Sequence, residues 1–109
     1  MGEPPRLIIS GIARVVRLRN QGELMPEICR FFGIVVFMNY NDHEPPHFHA
    51  RYQDQEVSVE IKTGIIQGKM SKRALRMALE WCEIYQAELL SNWEQARKRK
   101  RLQGIPPLT

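Results

Sequence analysis

Glu56-Val57-Ser58-Val59-Glu60-Ile61-Lys62 alternates polar and apolar residues without interruption. In an extended chain successive side chains leave opposite faces, so Val57, Val59 and Ile61 share one side and the polar groups the other. Such a stretch is a half-buried strand with one face on a core. Just beyond it, Thr63-Gly64 suits a two-residue hairpin turn that returns the chain as Ile65-Ile66-Gln67-Gly68-Lys69. The period then changes. Ser71 stands where a helix N-cap is needed. Leu75, Leu79, Cys82, Leu89, Trp93 and Ala96 recur at spacings of three, four or seven, flanked by Ala74, Ala78, Tyr85 and Leu90. No Gly or Pro falls between Lys72 and Arg101. These features predict one long amphipathic helix, or two with a kink near Gln86, ended by Gly104 and Pro106-Pro107.

Upstream, residues 47–53 alternate and predict another strand, joined to 56–62 by a turn at Asp54-Gln55. Proline lacks the N–H that a ladder requires, so Pro45-Pro46 together with Asn41-Asp42 marks the preceding segment as a turn. The stretch 28–40, rich in β-branched and aromatic residues, predicts a strand region buried on much of both faces. Gly33 within it predicts a bulge or tight bend. The expected fold is therefore α+β: an antiparallel meander of three to four strands with one long C-terminal helix, kinked or straight, packed on one face.

At 109 residues the chain has room for one hydrophobic core. Nothing in it approaches the roughly 18 to 20 apolar residues of a membrane span. Arg6, Arg14, Arg17 and Arg19 interrupt the N-terminal segment and exclude a signal core there. A cytoplasmic location with no membrane partner is expected. Cys29 and Cys82 are far apart and read as two small buried apolar residues rather than a disulfide or a zinc pair. Residues 1–24 differ in character from the rest. Gln21-Gly22-Glu23 can be encoded by codons containing a ribosome-binding sequence, at a workable distance before Met25. Residues 1–24 are thus expected to be a translated leader, poorly packed, and residues 25–109 the single α+β domain. The alternative is an added edge strand from residues 7–18.

Charge is unevenly placed. Residues 25–96 hold seven basic and ten acidic groups, whereas Arg97, Lys98, Arg99, Lys100 and Arg101 are five consecutive cations. A fold-wide nucleic-acid surface is excluded, and the 97–101 segment remains as a candidate nucleic-acid-binding tail. A solvated helix end, favoured by the macrodipole, is its plainer reading. Trp81, Tyr85 and Trp93, at helical spacing, are read as core rather than as a stacking platform.

All three histidines fall within Asp42-His43-Glu44-Pro45-Pro46-His47-Phe48-His49. His47 and His49 are two apart on a predicted strand and leave one face, and Arg51 continues that row. Three uses fit. His47 and His49 can act as general base and acid on a phosphodiester, with Arg51 as phosphate clamp, because imidazole titrates near neutrality. Alternatively His43, His47 and His49 can chelate a divalent metal such as zinc. In the plainest case the histidines merely satisfy backbone groups beside a strand end.

Met25-Pro26-Glu27-Ile28, Arg30-Phe31-Phe32-Gly33-Ile34-Val35, Asn41-Asp42-His43 and Pro45-Pro46-His47-Phe48-His49-Ala50 together resemble a small bacterial family, domain of unknown function 4160. The likeness continues through Gly68-Lys69, Lys72-Arg73-Ala74-Leu75, Glu80-Trp81, Asn92-Trp93 and Ile105-Pro106-Pro107-Leu108, covering residues 25–109. It implies a toxin-like component of a two-gene toxin–antitoxin module, with a small protein partner encoded nearby. It assigns no catalytic residues, so Asp42, His43, His47 and His49 carry over only as the family's signature. The leading expectation is a toxin-like protein acting on RNA through histidine acid–base chemistry, needing no cofactor. The rival is a non-catalytic module that binds a partner protein or a metal through the histidine-rich turn.

Overall fold

The computed structural model of the chain describes residues 14–17 and 24–109. Among the described residues six strands lie side by side in chain order, each antiparallel to its neighbours: β1 (Arg14–Arg17), β2 (Leu24–Phe31), β3 (Ile34–Phe37), β4 (His47–Tyr52), β5 (Gln55–Glu60) and β6 (Ile66–Gly68). Two helices follow, α1 (Lys72–Ile84) and α2 (Gln86–Arg97). The α+β meander is as expected. The three to four strands are instead five from β2 to β6, with β1 added at the edge of β2; of one long helix or two kinked near Gln86, the structure has two, parted at Tyr85.

The extra strand comes from stretch 28–40, which is a hairpin rather than one strand region. Phe31 pairs with Ile34, and the two residues between them, Phe32 and Gly33, both have positive φ, 48° and 84°. A two-residue turn needs this backbone to match the right-handed twist of its strands. Phe in the first left-handed position conceals the signal that Asn-Gly would have carried. The next reversal falls on Gln53 and Asp54, because Tyr52 pairs with Gln55 and Gln53 takes φ 56°. That is one residue before the expected Asp54-Gln55. The expected two-residue turn at Thr63-Gly64 is part of a wider loop, residues 61–65. Glu60 N–H donates to the Ile65 carbonyl and Gly64 N–H to the Glu60 carbonyl. Thr63 supports the loop by donating from Oγ1 to Glu60 Oε1 and accepting the Ile65 N–H.

Ser71 caps α1 as expected, its Oγ accepting the Ala74 N–H at 3.2 Å. The helix breaks at Tyr85, which has φ −110° and ψ 31°. No Gly or Pro is involved; the Gln86 amide beside the break donates to the Ile61 carbonyl at 2.9 Å. The buried face of α1 is Ala74, Ala78, Trp81 and Cys82, while Leu75 and Leu79 lie to its side, only half-buried. The expected stripe therefore held at Cys82 but put Leu75 and Leu79 at the margin of the core instead of its centre, and was in phase in α2, where Leu89, Trp93 and Ala96 are buried. The two alanines let α1 approach the sheet, and fully buried Trp81 fills the space between Phe31 and Phe48. Burial of one such ring removes on the order of 150–250 Å² from water, which makes Trp81 the keystone of this layer.

α2 stops at Arg97, before the expected Gly104. Arg99 takes φ 58°, its N–H donates to the Ala96 carbonyl, and Lys100 N–H donates to the Gln95 carbonyl. This is a Schellman closure with arginine where glycine usually stands. The chain then runs back along the domain. Asn92 holds both backbone groups of Gln103, and Trp81 Nε1 donates to the Pro106 carbonyl. Ile105 N–H reaches the Ile28 carbonyl, at the point where β2 bulges between Glu27 and Cys29 and leaves that group outside the ladder. Both cysteines are free and buried, as expected, and burial pushes their thiols up to about 12 for Cys29 and about 11 for Cys82. The expected leader includes β1; its poor packing concerns residues that otherwise lie outside the described ones. Among the described residues no helix is long and apolar enough to cross a membrane.

Candidate functional site

Alternation on β4 sorts its side chains. Phe48 and Ala50 are fully buried, Phe48 edge-on to Trp81 with ring centres 5.6 Å apart. His47, His49 and Arg51 alternate with them and keep partial exposure. The His47 and His49 rings lie 5.2 Å apart, so the row inferred from spacing is a physical row.

Asp42, from the loop between β3 and β4, closes the group. Its Oδ2 is 3.1 Å from His47 Nε2 and 2.9 Å from His49 Nε2, and all three side chains are 18% exposed. The other ring nitrogens face outward. His47 Nδ1 is 2.8 Å from the Pro45 carbonyl oxygen, and His49 Nδ1 is 3.7 Å from Glu56 Oε2. A carbonyl only accepts, so His47 Nδ1 carries a proton and donates it there. His47 Nε2 then has two states: protonated and donating to Asp42, or bare with its lone pair turned into the cluster.

Ring walls fix the imidazoles. Phe37 stacks on His49 at 5.3 Å and 11°, and Trp93 of α2 meets His47 at 5.3 Å. The Arg51 guanidinium lies 5.8 Å from the Phe37 ring centre and 3.5 Å from Glu56 Oε1. The loop carrying Asp42 is held from the far end of the chain. Tyr40 Oη donates to the Lys100 carbonyl, and Arg99 Nη2 donates to Asn41 Oδ1 at 2.7 Å. Glu44 Oε2 accepts from Trp93 Nε1 at 3.3 Å and from Arg97 Nη1 at 3.4 Å.

The electrostatics follow. Burial by itself would push the Asp42 carboxyl up, but hydrogen bonds from His47 and His49 and their charge outweigh it and hold it well below the usual carboxylate range. The bond to Asp42 raises His47 above its ordinary value against the opposing effect of burial, with help from the Pro45 carbonyl and the charge of Glu60. Metal-free, the cluster is an ionised carboxylate with a ready imidazolium partner. Its other capacity is chelation. One donor atom from each of Asp42, His47 and His49 lies within 4.8 Å of the others. Donors sharing a tetrahedral ion at bonds of about 2.0–2.2 Å stand roughly 3.3–3.6 Å apart, so the separations of 3.1 and 2.9 Å from Asp42 need open by only a few tenths of an ångström. Two imidazole nitrogens and a carboxylate oxygen form a set suited to zinc and other divalent transition metals.

Of the metal set His43, His47 and His49, the structure brings two together and puts Asp42 beside them; His43 is exposed on the loop. Arg51 joins the histidine row through Phe37 and Glu56. Arg97 and Arg99 of the 97–101 run lie against the same loop. The sequence marked Asp42 as part of the family's signature and Glu44 only as a neighbour of the histidines, and gave no site role to Glu56, Phe37 or Trp93. Glu56 was within reach, since a turn at Gln53 and Asp54 places it opposite Arg51. Trp93 carried no such signal, being 49 residues from Glu44.

A family model described as Domain of unknown function (DUF4160) matches residues 33–94, more than half of the chain. The chain belongs to this family. The DUF4160 match contains Asp42, His47, His49, Glu56 and Trp93, while residues 97–101 fall outside it. No curated protein and no solved structure matches the chain.

Proposed function

We propose that this DUF4160 member is a metal-dependent, toxin-like component of a two-gene module, with Asp42, His47 and His49 holding one divalent ion of the zinc class. The observation that carries this reading is the convergence of two Nε2 atoms and one carboxylate oxygen, while His47 Nδ1 is committed to the Pro45 carbonyl. A carbonyl or carboxylate behind the far nitrogen of an imidazole is how proteins orient a metal-binding histidine, and Glu56 stands in that place for His49. Held by these three donors, such an ion would have room for a water and would bring its pKa to about 7. Hydrolytic chemistry at neutral pH is then within the site's reach.

Metal-free acid–base catalysis by His47 and His49 has weaker support, because both Nε2 atoms face one carboxylate instead of a substrate. Arg51 remains a phosphate clamp in this proposal, exchanging Glu56 for a bound anion. The toxin-like setting and the small protein partner rest on the family's implied role. Induced expression with and without the neighbouring gene tests the whole reading. Growth arrest that needs Asp42, is relieved by a cell-permeable chelator and is suppressed by the neighbour supports it. A folded, zinc-loaded protein without effect on growth favours the non-catalytic interaction module instead.

A further inference from the structure

The five cations 97–101 are not one solvated helix end. α2 stops at Arg97, and the left-handed turn at Arg99 folds the run against loop 40–44, which carries Asp42. Their side chains then divide into two groups. Arg97 is 3.4 Å from Glu44 Oε2 and Arg99 2.7 Å from Asn41 Oδ1, so these two hold the loop. Lys98, Lys100 and Arg101 are exposed and make no side-chain hydrogen bond or ion pair among the described residues. They stand beside a body, residues 25–96, that carries more acidic than basic groups. The net charge of that body repels a polyanion, which the exposed cations of the run attract locally.

We infer that Lys98, Lys100 and Arg101 form a phosphate-binding arm for single-stranded nucleic acid, which brings its phosphodiester backbone beside the Asp42, His47 and His49 centre. The inference rests on the metal-centre reading, and it names the substrate class of that centre. A short, focal contact suits a flexible single strand, because a duplex laid across the domain would meet its acidic surface. The join between arm and centre is the loop itself: the run that captures phosphates also positions Asp42 through Arg97 and Arg99.

The test is fluorescence anisotropy of the full chain, loaded with zinc, against 12-nucleotide single-stranded RNA and DNA between 50 and 200 mM salt. Three phosphate contacts on a single strand give a logarithmic salt slope of about −2, which is roughly a 20-fold loss of affinity over that range. The K98Q/K100Q/R101Q variant should flatten the slope and bind at least about tenfold more weakly, with unchanged zinc affinity and melting temperature. R97Q/R99Q should weaken zinc binding, as expected of positioning residues. Equal affinity for RNA and DNA identifies pure backbone capture, and preference for RNA assigns a contact to the 2′-hydroxyl; both support the arm. Unchanged nucleic-acid binding by the triple variant overturns the proposal, as does poly-glutamate binding as tightly as RNA, which would mark a site for an acidic protein. Zinc titration of the same samples separates the two readings. Salt-dependent RNA binding without zinc binding sinks the metal centre and leaves the arm, whereas zinc binding with an unaffected triple variant sinks the arm alone.

Discussion

The two sides of β4 are held by different physics. Phe48 and Ala50 are sealed, and their contribution comes from apolar area removed from water and from contact with Trp81. One residue away on either side, His47 and His49 stay partly open and share one carboxylate oxygen as their polar partner in the cluster. The first kind of interaction is indifferent to pH and to ions. The second answers to both, because its strength is set by where the protons are. A strand that alternates every residue can thus serve the fold with one face and chemistry with the other, and substitutions on the two faces should be separable in experiment.

The largest effect is expected on the sealed side. Phe48→Ala should destabilise the fold by about 3–5 kcal/mol, equally at pH 6 and pH 8 and with or without zinc. Urea unfolding at both pH values measures it, and a cost that changed with pH would mean the two faces are not independent. Asp42→Ala should cost less, about 1–3 kcal/mol in the metal-free protein, since it leaves two hydrogen-bonded imidazoles without their acceptor.

Its pH signature is more informative than its size. His47 is raised in the fold, so its contribution is complete below its ordinary value near 6.5 and is lost as pH climbs through the raised one. Asp42 is depressed, so its contribution holds above the ordinary carboxylate value and is lost as pH falls through the lowered one. The metal-free protein should therefore lose stability relative to His47→Gln as pH rises above about 6.5 through the raised value. Parallel melting curves for the two proteins over that range would show that the bond from His47 to Asp42 contributes nothing.

Smaller effects sharpen the contrast elsewhere. Leu79 lines an open cleft of about 380 Å³ with Ile61 and Cys82 and is only half-buried. Leu79→Ala should cost about 1–2 kcal/mol, well short of Phe48→Ala. Arg99→Gly should change stability least. Relief of a left-handed arginine is worth about 1 kcal/mol, and the lost bond to Asn41 offsets it. Calorimetric scans of both variants, ranked against Phe48→Ala, check the order.

What was legible in the sequence follows the same division. Strict alternation at 56–62 placed a strand, and the spacing of His47, His49 and Arg51 placed three side chains in one row. The tight bend at Gly33 was legible, but the full reversal into a hairpin was not, because Phe32, a large aromatic, occupies a backbone conformation that usually selects Asn or Gly. The stop of α2 was hidden in the same way by Arg99. In α1 the alanines are sealed while Leu75 and Leu79 pack at the core's margin, so hydrophobicity alone set the phase only in part: close approach of helix and sheet selects small residues around one large one, Trp81. At the site, the local members could be read and the distant ones could not. Asp42 stands seven residues from His49, but Trp93, Arg97 and Arg99 reach the loop only through the fold.

The most direct test of the central claim is isothermal titration of zinc at pH 7.5 into the wild-type chain and four single variants. One ion should bind the wild type, and Asp42→Ala, His47→Ala and His49→Ala should each weaken it by at least about 100-fold. His43→Ala should bind as the wild type does. Absence of zinc binding by the wild type, or a His43→Ala variant as impaired as His47→Ala, would contradict the site described.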